Sequence, residues 1–163
     1  QRYGLGNAVY LTAVLAHYVA DAHQPFHAVL NYDGQLTNQH GIHARFEDEL
    51  PTRFGDRLTY SPEAPRPILE TRDAMFDALT SGAGLVEGLL ASDRRAAEGR
   101  TEYDEGYYAA FFDAARPVLE RRTSDAITAV AGVILGAWEQ AGRPDLSSPL
   151  PRPVQRIRGR GAR

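Results

Sequence analysis

Histidine and carboxylate side chains recur at a fixed spacing near the start of the chain. His17 and Asp21 are four residues apart, and His43 and Glu47 repeat that spacing, with His27 between the two pairs. On a helix, residues four apart lie on one face with Cβ atoms about 5–6 Å apart, so both members of a pair can reach one ion. Because the chain has no cysteine, a metal must be bound by His, Asp, Glu or water, and imidazole with carboxylate suits zinc.

A single histidine on an apolar helix is more often a core residue with one hydrogen bond than a metal ligand. Two His–carboxylate pairs so close in sequence are harder to attribute to packing, and a buried Asp21 costs several kcal/mol unless a cation or strong donors compensate it. We therefore predict a metal site at these residues. His27, His43 and Glu47 supply the three protein ligands that a catalytic zinc uses, with a fourth position left to water.

The polar residues near these candidate ligands are not expected to bind metal themselves. His23 projects about 200° away from Asp21 on a helix, which indicates an outer group or a surface group rather than a ligand. His40 is expected in a solvated loop. Arg45 and Asp48 could orient ligands or contact phosphate, although solvated helix charges are the simpler interpretation. Aromatic residues of the second half are expected in the core, with stacking on a base as the alternative: Tyr107, Tyr108, Phe111, Phe112 and Trp138.

The elements that must position these residues are predicted to be helices. An Ala-rich segment over residues 5–23 favours a helix buried on most sides, and Pro25 places a turn before His27. Residues 31–41 have loop composition, residues 42–54 a second helix, and residues 55–67, with three prolines, an extended connector. The apolar spacing after Pro67 predicts further helix weakened by glycines at 82, 84 and 88, then a helix over 103–115 bounded by Pro117, and a last helix through 127–141.

These patterns predict an all-α domain over residues 1–141 and a disordered Pro- and Arg-rich tail over 142–163. The body carries 12 arginines and 20 acidic residues, whereas the tail carries six arginines and one aspartate. An acidic body argues against tight binding of a nucleic acid backbone, which requires clustered positive charge. The apolar runs are shorter than the roughly 20 residues that span a bilayer, so no membrane span is expected.

The pattern H-x3-D-x2-QP-x-H at residues 17–27, followed by H-x2-FE at residues 43–47, resembles the superfamily that joins bacterial zinc-dependent phospholipase C with the single-strand-specific zinc nucleases. The resemblance covers about 35 residues and five ligand types in order. It implies an all-α domain with up to three zinc ions in a cleft. His17 and Asp21 would then be ligands of the paired-zinc region, with Asp21 as the candidate for the bridging catalytic ligand, while His27, His43 and Glu47 would hold one zinc.

The chain departs from the superfamily upstream of this motif. The remaining ligands, including an N-terminal Trp whose amino group binds metal, and the proposed general base would precede it, yet residues 1–16 contain no His, Asp or Glu. We therefore expect the C-terminal part of such a domain without its N-terminal helices. Such a chain would bind about one zinc firmly and be weakly active or inactive alone. A secreted or periplasmic location follows from the resemblance only.

The function expected from these residues is zinc-dependent hydrolysis of phosphoric esters, in phospholipids or in nucleic acid phosphodiesters. Bound metal ions lower the pKa of a water nucleophile and stabilise the leaving oxygen. Glu47 resembles the phospholipase branch, because the nucleases usually carry Asp there, and an acidic body gives little help in holding a polyanion. Single-stranded nucleic acid stays open, with Arg45 on phosphate and Tyr107 or Phe111 stacking on bases. The alternative is a non-catalytic helical domain with a structural zinc; a di-iron bundle needs E-x2-H pairs, which are absent.

Overall fold

The computed structural model describes residues 5–145, and this part of the chain is all-helical, as predicted. Residues 1–4 and 146–163 lie outside the described residues, and with them most of the tail that was predicted to be disordered. Five helices of the described part frame the site: α1 (Leu5–Asp21), α2 (42–54), α3 (Thr71–Ala83), α4 (Val86–Ala97) and α5 (Glu105–Gln140). A short 3₁₀ turn, Pro25–Ala28, follows α1.

Helix α1 forms where the Ala-rich segment predicts it, but the prediction that it is buried on most sides is wrong. Its large apolar side chains from Val9 to Leu11 are more than half exposed, as is Tyr18, whereas Val19 is fully buried. An apolar surface all round a helix permits burial on every side but does not supply the neighbours. In the described structure, α1 packs mainly against α5.

Helix α2 spans residues 42–54, as predicted, and changes its winding in the middle. It begins as an α-helix (Ile42–Ala44), continues as a π-helix (Arg45–Glu49) and ends as an α-helix (Leu50–Phe54). The Leu50 N–H donates to the carbonyl of Arg45, five residues back, which defines the wider turn. Single π-turns within helices are frequent at functional sites.

The segment after Pro67 forms two helices rather than one. α3 ends at Ala83 and α4 begins at Val86, so the glycines at 82 and 84 mark a break. Within Thr71–Ala97, a stretch of 18 residues has a mean hydropathy of 1.2, which by length and composition alone is enough to cross a membrane. Core helices of soluble proteins reach the same length and hydropathy. The expected absence of a membrane span stays a prediction.

Helix α5 is one continuous helix of 36 residues, so the predicted boundary at Pro117 is wrong. A proline inside a helix removes one hydrogen bond and costs about 3 kcal/mol. Ala115 and Leu119 are buried on either side of it, and the core contacts of the helix offset that local cost. At its beginning, Asp104 caps the helix by accepting a hydrogen bond from the Tyr107 N–H at 2.7 Å.

The proline-containing connector between α2 and α3 lies extended along α5. Backbone N–H groups of Thr59, Ser61 and Glu63 donate to side chains of α5 at 2.9–3.0 Å, where the acceptors are Glu120, Ser124 and Thr128. Two extended residues advance about 6.6 Å and four helical residues about 6.0 Å. Every second residue of the connector therefore lies beside every fourth residue of the helix.

Two glycines let the end of this connector approach the helix backbone. The Ile68 N–H donates to the Gly132 carbonyl at 2.9 Å. A Cβ atom at Gly136 would lie 2.0 Å from the Ile68 carbonyl oxygen, and one at Gly132 would lie 2.7 Å from the Arg66 carbonyl oxygen. Only glycine fits at these positions without moving the connector.

The main core lies between α2, α4 and α5. Its largest fully buried side chains are aromatic and aliphatic residues from these helices and from the 3₁₀ turn: Phe26, Ile42, Phe46, Leu50, Leu89, Tyr107, Phe111 and Phe112. Phe26 contacts Phe46 edge-to-face, with ring centroids 6.0 Å apart. The turn that carries His27 and the helix that carries His43 are therefore fixed to one another through the core.

Candidate metal centre

The structure brings His27, His43 and Glu47 together, as their spacing predicts. His43 Nε2 lies 2.8 Å from Glu47 Oε2 and 3.2 Å from His27 Nε2, and His27 Nε2 lies 3.7 Å from the same carboxylate oxygen. A tetrahedral zinc with ligands at about 2.0–2.1 Å has ligand–ligand distances of about 3.3–3.4 Å. The three atoms therefore have the spacing of one coordination shell.

Backbone carbonyls fix the orientation of both imidazole rings. His27 Nδ1 lies 3.1 Å from the Asp21 carbonyl oxygen, and His43 Nδ1 lies 3.1 Å from the Tyr32 carbonyl oxygen. A carbonyl only accepts, so in each ring Nδ1 carries the hydrogen. In the neutral imidazole, Nε2 is then an acceptor. This arrangement, with Nδ1–H on a carbonyl and Nε2 free, is common for metal-binding histidines.

Three acceptors therefore converge on one point: two imidazole nitrogens and a carboxylate oxygen. Without a proton or a cation between them, their lone pairs repel one another. A divalent ion satisfies all three at once, and the donor set, two imidazoles and one carboxylate, is one that zinc uses in catalytic sites. The residues present thus fit a metal ion by chemistry and by spacing.

Gln24 holds the carboxylate of this cluster in place. Its side-chain nitrogen donates to Glu47 Oε2 at 2.9 Å, and its side-chain oxygen accepts a hydrogen bond from the Phe26 N–H at the start of the 3₁₀ turn. The second bond fixes which end of the amide faces Glu47. The sequence motif contained Gln24, but spacing alone gave it no role; only the capped turn explains it.

The cluster is open to solvent on one side. The side chains of His27 and His43 are about a quarter exposed, at 27% and 26%, and Glu47 is 45% exposed. Among the described residues, no other His, Asp or Glu joins this group at ligand distance. An ion held here by three protein atoms would keep a position open to water.

His17 and Asp21 lie apart from that group. His17 Nε2 is 3.3 Å from Asp21 Oδ2, and the His17 side chain is 69% exposed. The predicted pair forms, but only Asp21 lines the cavity that also contains Glu47. Asp21 contributes to the cluster through its backbone, because its carbonyl orients His27. Whether the two side chains bind metal stays a prediction.

The other two histidines do not point at the cluster. His23 is buried, and its Nδ1 donates to the Val19 carbonyl at 2.8 Å. Burial lowers the pKa of His23, with Arg122 adding to the decrease, although the bond to Val19 opposes it. His40 lies exposed in the loop, as expected, where its carbonyl accepts from Arg45.

Arg45 belongs to a buried network, so both sequence-based interpretations of it are wrong. Its Nη2 lies 3.0 Å from Asp93 Oδ1, its Nε donates to the Tyr107 hydroxyl at 2.8 Å, and the Tyr107 hydroxyl donates to the same Asp93 oxygen. Gln39 donates to the other oxygen of Asp93 at 2.6 Å. Arg45 follows His43 by two residues, which turns it to the opposite face of α2 and into the core.

Tyr107 and Phe111 are also unavailable as stacking surfaces for a base. Both side chains are fully buried, because the first turns of α5 pack their aromatic face against α2 and α4. Burial and the bond to Asp93 raise the pKa of Tyr107 well above its usual range. An exposed aromatic residue beside the cluster is Tyr60, on the connector, which lines the same cavity as Glu47.

Comparisons with known proteins add no relative from which a role could be transferred. No family model matches the chain, and neither a curated protein nor a solved structure matches it. The geometry of the cluster, together with the sequence motif around it, is what a functional proposal must rest on.

Proposed function

We propose that this chain forms the zinc-binding part of a phosphoric ester hydrolase. The observation that carries the proposal is the convergence of His27 Nε2, His43 Nε2 and Glu47 Oε2, with both Nδ1 atoms held by backbone carbonyls. The lone pairs of these three preoriented atoms repel one another, and a bound cation relieves that repulsion.

Zinc is favoured over harder cations by the ligand types. The chain offers two imidazoles and one carboxylate and has no cysteine, and this combination is typical of zinc in hydrolases. When bound, the ion supplies a water of lowered pKa and positive charge for a phosphate oxygen. The solvent-exposed side of the cluster supports this role over a closed four-ligand structural site.

The residues around the cluster keep its geometry fixed. The Asp21 and Tyr32 carbonyls prevent the two rings from rotating, and Gln24 restrains the carboxylate that would otherwise swing into solvent. Preorganised ligands lose less conformational freedom when they bind. The 3₁₀ turn and α2 thus act together to hold one ion in a constant position.

The substrate class follows from the resemblance to zinc-dependent phospholipase C and single-strand-specific zinc nucleases. We propose phospholipid or nucleic acid phosphodiesters, with phospholipid preferred because Glu47 matches the phospholipase branch and the body is acidic. Asp21 is the residue proposed to bridge further zinc ions, with His17 beside it. Burial of Arg45, Tyr107 and Phe111 removes them from substrate binding.

Metal content and activity test this proposal separately. Titration of the chain with zinc is expected to show one tight site, which Glu47→Gln weakens and Glu49→Gln does not. The parent protein, with any upstream region, is then loaded with zinc and assayed for release of phosphocholine and for cleavage of single-stranded DNA and RNA. Failure to bind zinc would refute the metal site. Tight binding without any hydrolysis would favour the non-catalytic helical domain with a structural zinc.

A further inference from the structure

A cavity of about 320 Å³ adjoins the metal cluster. It lies between the end of α1, the 3₁₀ turn, α2, the connector and the middle of α5. Its size is at the lower end of the range for small-molecule sites, which are apolar with a few polar groups. The cavity shares Glu47 with the metal cluster, and Gln24 and Asp21 also line it. A molecule in the cavity is therefore next to a bound ion.

The walls away from the cluster are largely apolar. Pro25 and Phe46 are buried, Leu119 is 7% exposed, and Ala126 is half-buried about two turns further along α5. Tyr60 stands at the edge with 43% of its surface exposed. These walls suit one compact apolar or aromatic group rather than a polymer.

Arg122 is the charged group in this apolar wall. Its side chain is 8% exposed, and its hydrogen bonds go to neutral partners: Nε to the His23 carbonyl at 2.7 Å, Nη2 to the Ala78 carbonyl at 2.8 Å and Nη1 to Ser81 Oγ at 3.3 Å. The nearest carboxylate oxygen, on Asp125, is 3.7 Å away. Burial lowers the pKa of Arg122, and Asp125 only partly opposes that decrease.

A guanidinium carries five N–H groups, and three are used by these bonds. The ion pair of Arg122 with Asp125 is long, at 3.7 Å, so this buried cation gains from a closer anion. The proposed function makes that anion a phosphate. The carboxylates of Asp21 and Glu47 oppose an anion in the cavity until a cation neutralises them. The charges thus favour a ligand that contacts both the ion and Arg122.

We propose that this cavity binds small phosphate esters whose organic group is compact and apolar, with Arg122 pairing with an anionic oxygen of the ester. This inference rests on the proposed function and concerns the group attached to the phosphate: the part of the substrate that enters the cavity is compact and apolar, and phenyl phosphate represents it. Phe46, Leu119 and Ala126 contact the apolar group, while the phosphate lies on the side of Glu47.

Variants of neighbouring residues separate the cavity from the metal site. Ala126→Phe fills the cavity, and Ile127→Phe adds the same side chain one residue further, where Ile127 is 44% exposed and does not line the cavity. Arg122→Lys keeps the charge but loses the planar fork, and Arg121→Lys is its exposed control. The Ala126 pair keeps the test decisive if Arg122→Lys fails to fold.

The probe is phenyl phosphate, with inorganic phosphate and phenol as the two halves of the molecule. Binding to the full chain is measured by NMR or calorimetric titration, with and without zinc, and zinc binding is measured alone. Both with and without zinc, we expect Ala126→Phe and Arg122→Lys to weaken the binding of phenyl phosphate about tenfold, which is equivalent to about 1.4 kcal/mol. Zinc affinity and both control variants should stay unchanged.

Equal affinities of Ala126→Phe and Ile127→Phe for phenyl phosphate would overturn the inference, as would inorganic phosphate binding as tightly as phenyl phosphate. Either result with zinc binding intact rejects the cavity alone and leaves the metal site standing. If the chain does not bind zinc but still binds phenyl phosphate in a way that Ala126→Phe weakens, the proposed hydrolase is rejected and the cavity remains an anion-binding site.

Discussion

The polar groups on the two faces of α2 differ in how their charges and hydrogen bonds are paired. On the face toward solvent, His43 and Glu47 meet His27 with three acceptor atoms that one cation could join. On the face toward the core, Arg45 meets Asp93 and Tyr107 in a network where donors and acceptors are matched. Both groups lie within one turn of the same helix. Only in the buried group are the charges matched within the protein.

This contrast separates what stabilises the fold from what is left for a ligand. No buried side-chain polar atom among residues 5–145 lacks a hydrogen-bond partner, so the protein satisfies its interior and leaves the converging acceptors at the surface. Removing a charge from the two faces should therefore have opposite consequences. On the buried face it destabilises the fold; on the exposed face it impairs ion binding and spares the fold.

Breaking the buried face should have the largest effect. Asp93→Ala leaves the Arg45 guanidinium buried without its carboxylate, and such a change costs about 3–5 kcal/mol. Urea unfolding of the metal-free protein measures this loss. Asp113→Ala, which removes an exposed partner of Arg57, is the control and should cost no more than about 1 kcal/mol. Equal losses in the two variants would show that the buried network adds no stability.

Removing charge from the exposed face should affect ion binding instead. Glu47→Gln exchanges a charged ligand for a neutral one, and we expect zinc affinity to fall at least about a hundredfold, since loss of outer contacts alone costs 10–100-fold. The free energy of unfolding without metal should change by less than about 0.5 kcal/mol, because the new amide can donate to His43 Nε2. A destabilised metal-free protein would contradict the distinction between the faces.

The support of the carboxylate should matter less than the carboxylate itself. Gln24→Ala removes the amide that restrains Glu47, and zinc affinity should fall about tenfold. Gln140→Ala, which removes an exposed amide at the end of α5 that donates to the Leu69 carbonyl, is the matched control in the same calorimetric titration. An unchanged affinity in Gln24→Ala would mean that Glu47 is positioned without this contact.

His23 gives the smallest effect, visible as a dependence on pH. Because burial lowers its pKa in the folded state, the unfolded chain takes up the proton first as the pH falls. The free energy of unfolding should therefore be full above about pH 6.5 and decline below it. His23→Asn, which can still donate to the Val19 carbonyl, should flatten this decline in unfolding curves between pH 7.5 and 5. An identical slope in both proteins would remove His23 as a source.

Local patterns predicted the helix that carries the site. The spacing of His43 and Glu47 and the loop composition of residues 31–41 are short-range signals, and residues 42–54 form a helix as predicted. The helix boundary predicted at Pro117 was wrong because the local cost of one proline was considered without the core contacts that a 36-residue helix makes. The burial of α1 was misjudged for a similar reason: composition reports how apolar a helix is and not which elements lie against it.

The sequence predicted which side chains the candidate site brings together, but not the residues that support them. Ligand spacing is local to a turn and a helix, whereas Arg45 meets Asp93 only because α2 and α4, 48 residues apart, pack together. Nothing near Asp93 in sequence marks it as the partner. Arg122 lies 99 residues from the His23 carbonyl that it binds, so the cavity it lines also depends on tertiary packing.

The connector along α5 makes that helix sensitive to insertion and deletion as well as to substitution. Its acceptors recur every four residues, at 120, 124 and 128, and the glycine carbonyl at 132 continues the series. One residue inserted between them would turn every later acceptor by about 100° around the helix axis and detach the connector from that point onward. Homologues of this protein should therefore vary at the other positions of α5 far more freely than in the number of residues between Glu120 and Gly136.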